Sequence, residues 1–279
     1  HLYAVGELGT FEGKPSGAVH AYWIKDDGSL ELINTQPSLG GAPCHLVVDK
    51  TGKHVLVANY SGGNVISLPI QENGGLRPVA SNIQHEGSSV SPRQKGPHAH
   101  SINLDAGNRF AFAADLGLDK VLIYKFDEKT GKLSPNRPAF AKVEPGSGPR
   151  HFAFHPDGDR AYVINEIELT VTAFDYDADK GELKSTQTIS TIPEDITDRK
   201  GFSTAEVQVH PSGNFVYGSN RGHDTIAVFT LDDAGKLTRV QNQDIHGKTP
   251  RNFGIDPSGK YLLALGQSSD TISVFRIDQ

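Results

Sequence analysis

HFAFHPDGDRAYVIN (residues 151–165) and EVQVHPSGNFVYGSN (206–220) decide the fold. Each alternates apolar and polar residues, crosses a Pro-x-Gly turn and resumes as a second apolar run ending in Asn, which is the pattern of a β-hairpin. The phrase recurs as HLVVDKTGKHVLVAN (45–59), HSINLDAGNRFAFAAD (100–115) and NFGIDPSGKYLLALG (252–266), about every fifty residues. The turn anchors are Gly52, Asn108, Gly158, Gly213 and Gly259. Asn108 fits this column because Asn is the non-Gly residue that best tolerates the left-handed conformation, and it sets Asp115 opposite Asn59, Asn165 and Asn220.

After each hairpin comes a third run, such as Val121 to Phe126 or Ile226 to Leu231, then a turn around Gly131, Gly181 or Gly235 and a more variable fourth segment. Four short strands per unit predict an all-β fold, a β-propeller of four-stranded blades; the many Gly and Pro would break the helices of a helical repeat. The reading is a single propeller domain over 1–279 with partial first and last blades. The chain opens at His1 inside a strand-like run, contains no Met, begins with a second strand lacking a first and closes after a third lacking a fourth. About one blade is therefore expected to lie outside it, and a signal peptide can be lost with such a segment.

Composition excludes several classes. Thirty Gly and sixteen Pro spread along the chain suit many turns, and 36% hydrophobic content suffices for a large core. A formal net charge of −6 offers no basic field for a phosphate backbone, so no nucleic-acid partner is expected. No run approaches the ~20 apolar residues of a membrane helix, so no membrane partner is expected either. A single Cys44 rules out an intrachain disulfide framework, which suits a reducing compartment and equally an exported protein that needs no disulfides; a cytoplasmic location is the expectation. Nothing in the residues bears on oligomeric state.

The two best-defined strands of a repeat are antiparallel neighbours, so the residues eight before and eight after the turn lie at one end of the blade. The column before reads Cys44, His100, Arg150, Ala205 and Arg251, and the next reads His45, Ser101, His151, Glu206 and Asn252. The column after reads Tyr60, Leu116, Glu166, Arg221 and Gln267. The Asn column repeats and reads as scaffold, bonding local backbone. The flanking columns do not repeat, and a set of non-identical charged groups is poorly explained by packing, which would ask the same of every blade. They read as a site.

His98 and His100 in GPHAH stand two apart on a strand, hence on one face. No C-x-x-C or H-E-x-x-H spacing supports zinc, so no metal and no cofactor is expected. His20, His54, His85 and His246 are expected at the surface; His155 and His210 share the slot before the turn with Asp49 and Asp256 and read as hairpin residues.

The stretches GAPCHL, GPHAHS, DLGLDKVLIYKFD, PGSGPRHFAFHP, SNRGHD and KTPRNFGIDPSGKYLL resemble the lactonase family of seven-bladed propellers, which includes propeller-type 6-phosphogluconolactonases and is similar to the fungal carboxy-muconate lactonising enzymes. The resemblance runs the length of the chain. It implies an active site using a His, an Arg and a Glu with a further Arg, which fall by motif on His100, Arg150, Glu166 and Arg221. Gly6 and Gly266 depart from it, standing where the family usually shows Asn.

The resulting expectation is hydrolysis of a sugar lactone, 6-phosphogluconolactone to 6-phosphogluconate, without a metal. His100, Arg150 and Glu166 are the catalytic candidates; His98, His151, Glu206, Arg221 and Arg251 are assigned to binding an anionic small molecule. The alternatives are a muconate-type lactonising enzyme or cycloisomerase, which the same groups would serve, and a non-catalytic binding propeller, which calls for aromatic anchors where this rim offers Tyr60 and Leu116. A nucleophilic hydrolase is disfavoured: no G-x-S-x-G elbow occurs, and Cys44 beside His45 lacks a third partner.

Overall fold

The computed structural model describes residues 1–232 and 234–278. Among them no helix occurs, and none is long and apolar enough to cross a membrane. The chain divides into two compact units, His1–Ala141 with Asp179–Glu182, and Lys142–Ala178 with Leu183–Gln279.

The first unit carries β1 (Leu2–Gly6), a small hairpin of β2 (Thr10–Phe11) and β3 (Lys14–Pro15), β4 (Ala18–Ile24) and β5 (Leu30–Pro37), with β1, β4 and β5 forming a three-stranded first blade. The second blade is β6 (Pro43–Val48), β7 (His54–Asn59), β8 (Asn64–Pro69) and β9 (Ser81–Gln84); the third is β10 (Ala99–Leu104), β11 (Phe110–Asp115), β12 (Lys120–Asp127) and β13 (Lys132–Lys142). In the second unit the fourth blade is β14 (Pro149–Phe154), β15 (Arg160–Asn165), β16 (Thr170–Asp177) and β17 (Glu182–Ser190). The fifth is β18 (Ser203–Val209), β19 (Phe215–Arg221), β20 (Thr225–Leu231) and β21 (Leu237–Asp244). The sixth is β22 (Pro250–Ile255), β23 (Tyr261–Gly266) and β24 (Thr271–Arg276). Each blade is an antiparallel sheet with its strands in chain order, the construction of a β-propeller.

The second and third blades bury both faces, so their second strands read as nearly continuous apolar runs: every residue of β7 and of β11 is buried, whereas β23 of the sixth blade alternates exposed and buried residues. In the first unit Val19, Ala21, Val57 and Ile66 fill the space between the first two blades, and Leu56, Ile102, Ala113 and Phe126 that between the second and third. In the second unit Tyr162, Ile164, Val207 and Phe229 join the fourth and fifth blades, and Tyr217, Phe253 and Leu262 the fifth and sixth.

The anchors adopt positive φ, Asn108 at 57° and Gly52, Gly158, Gly213 and Gly259 between 69° and 80°. In the second, fourth and fifth blades the slot before the turn also reaches the next blade. Asp49 accepts from Asn108 Nδ2 at 3.0 Å; His155 Nε2 donates to the Gly213 carbonyl at 2.9 Å and His210 Nε2 to that of Gly259 at 2.8 Å.

Two histidines expected at the surface are buried. His54 packs edge-on against Phe126, and His85 sits between Asp115 and Tyr124. Strand-end position misled here because the residues that cover the two rings, Phe126, Asp115 and Tyr124, stand on strands of the next blade. His246 is exposed as expected.

Phe229 has no exposed surface and touches two blades. Phe229→Ala is expected to cost about 3–5 kcal/mol, transfer plus cavity, as read from urea unfolding midpoints at unchanged m-value.

Candidate active site

The candidate residues stand where the first strand of a blade breaks register with the second. The slip lies between 43 and 45 in β6, 99 and 101 in β10, 149 and 151 in β14, 204 and 207 in β18 and 250 and 252 in β22. The residues it steps over are Cys44, His100, Arg150, Ala205 with Glu206, and Arg251. A bulge turns such a residue out of the regular alternation and re-aims its side chain. The sequence signal is a Pro at the strand start, Pro43, Pro149 and Pro250, where no ladder N–H is available.

In the second unit Arg150 is 2% exposed. Its Nε donates to Glu166 Oε2 at 3.0 Å and its Nη1 to the Ala205 carbonyl at 2.7 Å. Arg221 Nη2 reaches the same Glu166 oxygen at 3.0 Å and donates to the Thr204 carbonyl at 2.8 Å. Glu166 is fixed in turn by its backbone N–H on the Gly148 carbonyl at 2.7 Å. One carboxylate oxygen thus joins two guanidinium groups across two blades.

Burial pushes the Arg150 guanidinium down to about 10, Glu166 opposes the shift, and Arg221 and Arg251 add to it; Arg150 stays a cation at neutral pH. Counted formally, the three cations Arg150, Arg221 and Arg251 outnumber the two carboxylates Glu166 and Glu206 in this group by one. That surplus suits an anionic ligand or a developing oxyanion.

Beside this network, His151 Nδ1 donates to Glu206 Oε2 at 3.0 Å, and Asn252 Nδ2 donates to the same oxygen. Glu206 Oε1 accepts the Val207 N–H at 3.0 Å. His151, Glu206 and Asn252 occupy one column of three successive blades and form a polar belt. Their alignment is legible in the sequence; their bonding to one another is not, because it depends on blade spacing. Burial holds the His151 imidazole below the ordinary histidine value, with Glu206 offsetting part of the shift.

In the first unit His98 stacks on Tyr60, ring centroids 4.5 Å apart, and His100 meets the same ring edge-on at 5.3 Å. The His98 Nδ1 also bonds the Tyr60 carbonyl at 3.0 Å. Cys44 Sγ lies 3.7 Å from His100 Nδ1, so the nearest imidazole shown for the thiol is on the next blade rather than on the neighbouring His45, which receives the Ile102 N–H.

The chain matches the family model described as "Lactonase, 7-bladed beta-propeller" over residues 1–279. This chain belongs to that lactonase family. It is 40% identical over 242 residues to a Bacillus subtilis protein named 6-phosphogluconolactonase, an alignment covering 86% of this chain and 68% of that one. A Formosa agariphila protein of the same name is 34% identical over 262 residues, covering 92% and 72%. Among solved structures, a Pseudomonas aeruginosa periplasmic gluconolactonase superposes with a TM-score of 0.91 at 31% identity, covering 99% of this chain and 78% of that one. As a member of the family the chain is a lactone-hydrolysing enzyme.

Within this lactonase the Asn column is scaffold, but the backbone it bonds is not the local backbone expected: the carbonyls belong to the end of the preceding blade, and in the fourth blade hydroxyls take their place. Asn59 Nδ2 donates to the Ser38 carbonyl at 2.9 Å and Asn220 Nδ2 to that of Thr191 at 3.2 Å, whereas Asn165 bonds the hydroxyls of Thr170 and Thr172, both at 2.9 Å. Sequence reasoning placed Asn252 in a flanking column without giving it a role, and it missed Asp115 and the carbonyls of Thr204 and Ala205. A group of His155, Asp157 and Asp159 with metal-ligand spacing sits at the hairpin turn of the fourth blade, at the other end of β14 from Arg150.

Two outcomes follow from these environments. Glu166→Gln leaves two guanidinium groups without their shared anion, and a loss of about 3–5 kcal/mol is expected in chemical unfolding. His151 has a lowered folded value, so between the unfolded value of about 6.5 and that lower value the unfolded chain binds the extra proton. Stability is therefore expected to fall as pH drops through this window and to level off below it, and His151→Gln to flatten that stretch of the stability–pH curve.

Proposed function

We propose that this lactonase opens 6-phosphogluconolactone to 6-phosphogluconate by general acid–base chemistry with no metal in the reaction. The observation that carries the reading is the buried Arg150 held between Glu166 and the Ala205 carbonyl, in a charge set with a positive surplus, in a member of the lactonase family. The names of the Bacillus and Formosa relatives supply the substrate.

In this scheme water attacks the ester carbonyl and gives its proton to a base. His100 takes that role, imidazole being the side chain whose ordinary titration lies closest to neutrality. The carbonyl oxygen gains negative charge and meets Arg150. The ring C–O bond then breaks, and the departing oxygen takes a proton to become a hydroxyl, leaving a carboxylate product. Glu166 fixes the Arg150 guanidinium through Nε. Arg221 and Arg251 hold the phosphate, for which a planar fork of donors is suited. His98, His151 and Glu206 complete the binding surface. The cytoplasm is the compartment we assign to the reaction, noting that the Pseudomonas relative is described as periplasmic.

Initial rates with 6-phosphogluconolactone, coupled to a dehydrogenase and corrected for spontaneous opening, test this. The wild type is expected well above background, with His100→Ala and Arg150→Ala each lower in kcat by about 10²-fold or more. Arg150→Lys is expected to fall as well, because an ammonium cannot span Glu166 and the Ala205 carbonyl as the guanidinium does. Full turnover in Arg150→Lys overturns the role of Arg150; no wild-type rate above background overturns the substrate and leaves unphosphorylated lactones and muconates as the next to assay.

A further inference from the structure

The third blade reverses a hydrogen bond that the second and fifth blades keep. In the second and fifth blades a buried Asn donates to the carbonyl of the residue just after a fourth strand, Ser38 after β5 and Thr191 after β17. In the third blade the column holds Asp115, an acceptor, and the residue just after β9 is His85, whose Nδ1 donates to Asp115 Oδ2 at 2.6 Å. The other ring nitrogen, Nε2, meets the Tyr124 hydroxyl at 2.8 Å. His85, Asp115 and Tyr124 are all buried.

The other carboxylate oxygen has its own donors. Asp115 Oδ1 accepts the N–H of His98 at 2.7 Å and of Gly117 at 2.9 Å. His85 and His98 are the two ends of the loop 86–97, so one carboxylate clasps both ends of the segment that delivers the His98-Ala99-His100 stretch. The middle of that loop is pinned too. Gln94, with no exposed surface, donates from Nε2 to the Leu116 carbonyl at 2.8 Å and to Asp119 Oδ1 at 2.7 Å. Gly117 packs so closely that an added Cβ would lie 1.9 Å from the Gly96 carbonyl oxygen.

A buried carboxylate is expensive to desolvate, and the scaffold need is met elsewhere by a neutral Asn. The third blade departs from that solution where three donors converge, since Asn has one accepting oxygen and Asp has two. We propose that Asp115 and His85 are positioning residues of the lactonase reaction, holding the 86–97 loop closed so that His98 stays stacked on Tyr60 and His100 keeps its orientation. This rests on the assignment of His100 as base.

The test separates scaffold from function by installing the sister-blade chemistry. The His85→Ser, Asp115→Asn double variant recreates the Asn59–Ser38 arrangement, and His85→Gln keeps a donor for Asp115. The double variant is expected to fold, with kcat down at least about tenfold at a KM within about twofold of wild type, since displacements near 1 Å are worth up to about a hundredfold. His85→Gln is expected to stay within about threefold of wild-type kcat. In ¹⁵N-histidine spectra the His98 and His100 ring signals should move or broaden in the double variant and hold in His85→Gln. Wild-type kcat or unmoved ring signals in the double variant overturn the proposal; should that variant fail to fold, the same readouts on Asp115→Asn decide. A wild type inactive on lactones instead sinks the assigned reaction, while the ring signals still judge the positioning.

Discussion

The slip in register at the start of each first strand is what the candidate site depends on. A regular β-strand sends alternate side chains to opposite faces, and in a blade packed on both sides each face is committed to a neighbour. One extra residue on the first strand frees a position from that commitment. At those positions stand His100, Arg150, Glu206 and Arg251, and the bulge lets a long polar side chain leave the packed layer without breaking the hairpin behind it.

What the freed residues then do is set by burial. Arg150 keeps its charge in a nearly closed environment because Glu166 and a backbone carbonyl take two of its donors, and Glu166 tolerates its own burial because two guanidinium groups share one of its oxygens. Neither group would be stable there alone. The polar belt of His151, Glu206 and Asn252 follows the same rule with a weaker pair, in which desolvation keeps the imidazole toward its neutral form.

The repeat, the hairpins, the turn anchors and the candidate columns were legible in the sequence because they follow from alternation and from where positive φ is required. Arg150 and Glu166 were placed together by counting from Gly158, since antiparallel pairing fixes which ends meet. Lost to such counting were contacts between blades. The burial of His54 and His85 and the bonding of His151 to Glu206 depend on how successive sheets sit against each other, which has no period in a single chain. The bulges left only the trace of Pro43, Pro149 and Pro250.

The contacts that the slot before the turn makes in the second, fourth and fifth blades bear on how such a chain can be recombined. His155 and His210 each donate to the anchor carbonyl of the following blade, while Asp49 accepts from the side chain of the following anchor, Asn108. A donor slot placed before an anchor that expects an acceptor leaves a buried polar group unsatisfied. The unit that can be duplicated or exchanged between relatives is therefore not a blade cut at its own boundaries; it is the half-blade pair running from one slot through the next anchor, and shuffled chains joined elsewhere carry a mismatched seam.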